Sequence, residues 1–212
     1  PPTQLLSITM ETGEENTMKH FITFEGFDGS GKSTIAKLVY ERLQKEGYPV
    51  VLTYEPTDTP VGKYVQDCIK TSSDPFITAF TFIADRIQHC QQIQHWLDEK
   101  KIVLCDRYAD STYAYQGAQL TKEIRNPIKW LQDLSKNRIL IPDRTFLFII
   151  DPKESIKRIQ SRNNLIPFER VTFLKKVHAN YLKLSTEKRF LKVDATKTKE
   201  EIAELCYRDI LS

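Results

Sequence analysis

Short apolar runs alternate with longer stretches in which apolar residues return every three or four positions, and this alternation predicts the architecture. Phe21 to Glu25, Pro49 to Thr53, Ile102 to Cys105, Arg144 to Ile150 and Phe190 to Val193 have the length and β-branched or aromatic content of buried strands. Between them the period changes to that of helices. Ile35, Leu38, Val39 and Leu43 mark one helical face. The longest helical pattern follows Ser73-Asp74-Pro75, a capping residue with proline in the first turn. Its stripe of Phe76, Phe80, Ile83, Ile87, Cys90 and Leu97 is assigned to the core. Strands alternating with helices predict an α/β fold, a mostly parallel sheet of five strands with helices on both faces. In such sheets ligands gather beyond the carboxyl ends of the strands, where Gly26, Glu55, Asp106 and Asp151 would fall.

Composition narrows the classes. The 212 residues, 40% hydrophobic and 28% charged, suit one soluble domain, placed at 18–212 after an irregular extension over 1–17. The net charge of +3 comes from interleaved acidic and basic residues, which argues against a nucleic-acid surface while leaving room for a small polyanion. Cys68, Cys90, Cys105 and Cys206 are widely spaced within apolar stretches, as in a protein of the reducing cytoplasm. No apolar run reaches the roughly 20 residues that span a bilayer, so no membrane partner is expected.

Chemistry enters at Gly26-Phe27-Asp28-Gly29-Ser30-Gly31-Lys32-Ser33, two glycines four residues apart followed by lysine and a hydroxyl. Set between a strand and a helix, such a loop turns backbone N–H groups toward phosphate oxygens. Lys32 would reach the outer phosphates and Ser33 would ligate Mg²⁺. A P-loop nucleotide-binding fold is therefore expected. Asp106 at a strand end is a second candidate for Mg²⁺, and Arg107 beside it offers a planar fork suited to oxyanions. Tyr108, Ser111, Thr112, Tyr113, Tyr115 and Gln116 follow, a run able to read a base edge and a sugar face. Phe82 and Arg86 lie one turn apart. Read from spacing alone, they form a surface ridge in which Arg86 snorkels over Phe82. Arg158, Arg162 and Arg170 surround Asn163, Asn164 and Pro167, a basic connection that would close over phosphates as a lid.

Taken together these segments resemble thymidylate kinases from Met18 to Ser212. The resemblance is carried by Phe24 to Thr34, Phe82-Ile83-Ala84-Asp85-Arg86, Asp106-Arg107-Tyr108 with Ser111 and Ala114-Tyr115-Gln116, Pro142-Asp143, and Val193-Asp194-Ala195. It implies Mg²⁺-dependent transfer of the γ-phosphoryl group of ATP to dTMP, giving dTDP and ADP on the route to dTTP, by a cytoplasmic homodimer. ATP would lie on the loop from Gly26 through Phe27, Asp28, Gly29, Ser30, Gly31, Lys32 and Ser33 to Thr34. For dTMP the resemblance implies stacking on Phe82, donation from Arg86 to a thymine carbonyl, and contacts from Asp28, Glu55 and Arg107. Ser111, Thr112 and Gln116 would meet the base edge, and Tyr115 would crowd the sugar 2′ position. Lys32, Arg107 and Asp28 would act in transfer with a lid arginine, Arg158 or Arg162, because Gly29-Ser30 places none in the loop. Tyr54 stands where many members carry an arginine before Glu-Pro. The readings left open are a kinase for another nucleoside monophosphate or a deoxynucleoside, with Glu25 or Glu55 as base, and a nucleotide-dependent switch.

Overall fold

A computed structural model describes residues 18–160 and 168–212. Five strands, β1 (Phe21–Gly26), β2 (Val50–Tyr54), β3 (Ile102–Asp106), β4 (Arg144–Ile149) and β5 (Phe190–Asp194), form one sheet in the order β2-β3-β1-β4-β5. All four pairings are parallel, with Phe24 opposite Asp106 on one side and Phe146 on the other. Parallel neighbours require crossovers, and helices supply them: α1 (Lys32–Lys45), α2 (Pro60–Lys70), α3 (Pro75–Asp98), α4 (Ala109–Gln119), α5 (Pro127–Ser135), α6 (Pro152–Gln160) and α7 (Phe168–Leu184), with α8 (Lys199–Leu211) following β5. The expected extension at 1–17 and most of the expected lid, Arg162 included, lie outside the described residues, as does the side chain of Arg170.

Side-chain alternation along the strands builds two cores. Ile22, Phe24, Ile102, Leu104, Phe146 and Phe148 face α1, α7 and α8, whereas Phe21, Val103 and Cys105 face α3, α4 and α5. Polar side chains placed within the sheet pair with each other, as Thr23 and Thr145 do at 2.8 Å. Helix starts are set chemically: Thr59 accepts from Gly62 N at 3.1 Å, and Asp74 accepts from Phe76 N at 2.8 Å, each just ahead of a proline. All four cysteines are buried and unpaired.

The stripe assigned to α3 needs correction. Phe80 is 49% exposed, while Ile93, on the same spacing between Cys90 and Leu97 but not included in the stripe, is fully buried. Asp85, Arg86 and His89 are also buried on α3. The buried face of α3 is centred on these polar residues, which find partners in the turn after β2.

Candidate active site

The phosphate loop takes shape around three glycines. Gly26, Gly29 and Gly31 have φ of 138°, 78° and 89°, values that side chains disfavour. A Cβ on Gly26 would sit 2.8 Å from Phe148 O, so the chain can leave β1 against β4 only without one. Lys32 is folded back beneath the loop and donates to Phe27 O at 3.3 Å. Burial draws its amine down to about 8 and Arg107 adds to that, against the pull of Asp106, Asp28 and Glu25. Phe27, expected to meet the nucleotide, offers only its backbone there; its ring is buried against His178 and Tyr181.

Two cavities open from this loop at the carboxyl end of the sheet. One, of about 800 Å³, is lined by the loop from Asp28 to Ile35, by Arg158 and by Ala195, Lys197, Thr198, Lys199 and Ile202. Arg158 Nη1 donates to Ala195 O at 3.1 Å, which ties α6 to the segment after β5. Beyond Ala195 the sequence assigned this segment no role; Thr198 caps α8 and also lines the cavity. The other cavity, about 560 Å³, contains Asp28, Glu55, Phe82, Arg86, Arg107, Tyr115 and Gln116 among its walls. Asp28 belongs to both.

Arg86 is fully buried, so the surface ridge suggested by its spacing from Phe82 does not exist. Its Nε donates to Glu55 Oε2 at 2.9 Å and its Nη2 to Thr112 Oγ1 at 2.9 Å, while Nη2 also lies 2.7 Å from Glu55 Oε2 in an ion pair. Burial would lower the guanidinium pKa, but the Glu55 carboxylate outweighs it and the pKa rises, which keeps the charge. Nη1 has no hydrogen-bond partner among the described residues. A buried charge-bearing donor left open on a cavity wall is costly unless a ligand completes it. Thr112, expected at the base edge, instead lies behind Arg86 and is fully buried. Glu55 likewise holds Arg86 and has both oxygens engaged, the second by His89 Nδ1 at 3.0 Å. Neighbouring Asp85 fastens the same turn: Oδ2 accepts from Thr57 N at 2.9 Å and Oδ1 from Thr57 Oγ1 at 2.5 Å.

Arg107 lines the second cavity beside Asp28, the residue that both cavities share. Its φ of 67° is a left-handed conformation, and the groups around it hold that turn. Glu25, wholly buried at the end of β1, accepts from Tyr108 N at 2.8 Å, Ser111 N at 3.2 Å, Ser111 Oγ at 2.6 Å and Tyr181 OH at 3.1 Å. Burial pushes this carboxyl up to about 7 with help from Asp110, against Ser111, Arg107 and the Tyr108 N–H. Ser111, which lines the second cavity, also accepts at Oγ from Arg107 Nη1 at 3.1 Å and so holds Arg107. Arg107 Nη2 donates to Asp28 Oδ1 at 2.6 Å. Gln116 does line the cavity, with Nε2 to Gln119 Oε1 at 3.3 Å, and the Tyr115 ring sits beneath the Arg107 guanidinium at 5.6 Å.

Known proteins resemble this chain over most of its length. A family model described as thymidylate kinase matches residues 24–205. A probable thymidylate kinase of Methanosarcina barkeri is 40% identical over 194 residues, 90% of this chain and 95% of the relative. One from Sulfurisphaera tokodaii is 38% identical over 92% of this chain and 97% of the relative, and one from Methanocaldococcus jannaschii is 40% identical over 85% and 89%.

Proposed function

The chain belongs to the thymidylate kinase family, and from that premise we propose that it transfers the γ-phosphoryl group of ATP to dTMP, giving ADP and dTDP. The observation that carries the reading is the partition of the rim at Asp28: a glycine-loop cavity on one side, and on the other a cavity with Phe82 and the open Nη1 of Arg86. ATP phosphates suit the first, where the start of α1 and Lys32 supply positive charge. Thymine suits the second, stacked on Phe82 with a carbonyl accepting from Nη1.

Transfer then follows from placement. A phosphate oxygen of dTMP attacks the γ-phosphorus in line; the new O–P bond forms as the bond to the β–γ bridging oxygen breaks, and ADP leaves with that electron pair. The acceptor oxygen is already anionic, so no base is needed. Geometry favours this over a nucleoside acceptor, because Glu25 is sealed from both cavities and Glu55 is committed to Arg86 and His89. Lys32, Arg107 and Arg158 neutralise charge on the moving phosphoryl group, and Asp28 orients Arg107. The donors fit Mg²⁺: Asp106 Oδ1 is buried without a hydrogen-bond partner among the described residues, and Ser33 is exposed at the loop. Held by these two oxygens, Mg²⁺ would neutralise phosphate charge. The buried free cysteines suit a reducing cytoplasm, and the exposed apolar side chains of α2 and α3 suit a homodimer. No helix of the described residues is long and apolar enough to cross a membrane.

An acceptor panel of dTMP, dUMP, dCMP, UMP and thymidine, with ATP and Mg²⁺, tests the reading by ADP release. Turnover is expected to be highest with dTMP. A preference for thymidine, or thymine-nucleotide binding without ADP release, would overturn it in favour of a nucleoside kinase or a switch.

A further inference from the structure

The pairing of Arg86 with Glu55 is unusual in one respect. A guanidinium and a carboxylate left to themselves form two parallel bonds, one oxygen to each nitrogen. Here both nitrogens, Nε at 2.9 Å and Nη2 at 2.7 Å, converge on Oε2 alone. Oε1 is occupied by His89 Nδ1 at 3.0 Å. The carboxylate can only accept, so Nδ1 carries a hydrogen. The far ring nitrogen, Nε2, is 2.8 Å from Thr53 Oγ1, and the ring also meets Trp96 edge-on at 6.5 Å. His89 is thus fixed at both ends, one on β2 and one on the turn that follows it.

This arrangement determines which part of Arg86 faces the cavity. With Oε1 engaged, the guanidinium is confined to Oε2 and to Thr112 Oγ1, and Nη1 is the nitrogen left over. Were Oε1 released, it would be a buried acceptor without a donor, a costly condition that rotation of the carboxylate onto the guanidinium would relieve. The guanidinium would turn with it, and the aim of Nη1 would be lost.

We propose that His89 is a positioning residue for acceptor-base selection, holding Glu55 so that Arg86 presents Nη1 to a base carbonyl. The proposal rests on dTMP being the acceptor. His89 touches no substrate and acts through Glu55 and Arg86 in turn. Its effect should therefore fall on recognition of the acceptor base, with binding of ATP left as it was.

The test compares His89→Leu, His89→Asn and Thr53→Val with the unaltered chain. KM and kcat are measured for ATP, for dTMP and for 5-methyl-dCMP, which keeps the methyl group but replaces a carbonyl with an amine. His89→Leu is expected to raise the KM for dTMP about tenfold or more, the scale of a charge-assisted hydrogen bond, and to narrow the preference for dTMP over 5-methyl-dCMP by a similar factor. The KM for ATP should not move. His89→Asn keeps a donor near Nδ1 and should restore most of the loss. Thr53→Val frees only Nε2 and should produce a smaller shift in the same direction; it carries the test if His89→Leu does not fold by circular dichroism. Unchanged selectivity in a folded His89→Leu or, failing that, in Thr53→Val overturns the proposal, and so does a parallel rise in KM for ATP and dTMP. An unaltered chain that does not turn over dTMP overturns the functional reading and this proposal together, whereas an active one with indifferent variants overturns the role of His89 alone.

Discussion

Asp28 Oδ1 lies 2.6 Å from Arg107 Nη2 and 3.8 Å from Lys32 Nζ, so one carboxylate oxygen connects the cation of the acceptor cavity to the cation of the donor loop. The three side chains come from the loop after β1, the start of α1 and the end of β3, and only the parallel pairing of β1 with β3 brings them together. Two cations held by a shared anion at the junction of two cavities are placed to receive a phosphoryl group in transit.

Loss of either cation should be felt in the rate. Arg107→Ala and Lys32→Ala are each expected to lower kcat by about 10³-fold or more, the range found when a charge-neutralising group is removed from phosphoryl transfer. Both should stay folded, since each leaves Asp28, which is largely exposed, able to meet water. ADP release under saturating ATP and dTMP measures the effect. Near-normal turnover by either variant would remove that residue from the mechanism.

The displaced titration of Lys32 gives a pH signature. An ordinary lysine holds its proton to about 10.5, but burial, followed by Arg107, brings this one to about 8. The amine is charged below that pH and neutral above it. Because kcat/KM reports the free enzyme, kcat/KM for ATP should fall along a single deprotonation near pH 8. Bound phosphates restore the proton's advantage, so kcat should hold to higher pH. Profiles of the two constants from pH 6 to 10 check this, and coincident profiles would exclude Lys32 as the group responsible.

How far the site was readable in the chain depended on how local each signal was. The phosphate loop, the strand ending in Asp106 and the helix start at Pro75 are local signals, and they stand where the spacing put them. Relations across elements were not legible. Nothing in the spacing of α3 told that Arg86 would turn inward, because its partner Glu55 is 31 positions away on another element. The same holds for Phe80, which is exposed while Ile93, Asp85 and His89 are buried, the last two with partners in the turn after β2. Thr112 and Ser111 carried the right chemistry in the right segment, yet helix rotation sends their hydroxyls to Arg86 and Glu25. Lys197 to Lys199 reach the donor cavity only through the parallel register of β5 with β4.

Gly62 allows α2 to lie directly against the turn that carries Glu55. A Cβ there would stand 2.1 Å from Thr57 O, a backbone atom that cannot simply swing aside. Gly62→Ala should therefore move the turn or the helix, at a cost of roughly 1–3 kcal/mol. Since Thr57 is tied to Asp85 and the turn holds the partner of Arg86, the same change should raise the KM for dTMP while leaving that for ATP alone. Urea unfolding gives the first quantity and initial rates the second. A variant of unaltered stability would show that the turn yields freely.

Ile77 and Phe80 lie three residues apart on one face of α3 and are 47% and 49% exposed, and Tyr64 on the adjoining α2 is 53% exposed. Phe80 also leans edge-on against Trp130 at 5.9 Å, which extends this apolar surface to α5. Water contact with that much aliphatic and aromatic area is unfavourable at roughly 25 cal/mol per Å², and a second copy of the chain would remove it. Under the homodimer reading, Ile77→Glu with Phe80→Glu should convert the protein to a monomer, because two like charges per chain would be buried in the interface without partners. Neither side chain lines either cavity, so a folded monomeric variant should still bind ATP. Light scattering coupled to gel filtration gives the mass of both forms. A wild-type chain that runs as a monomer at micromolar concentration would refute the dimer, and a variant that remains dimeric would place the interface on another face.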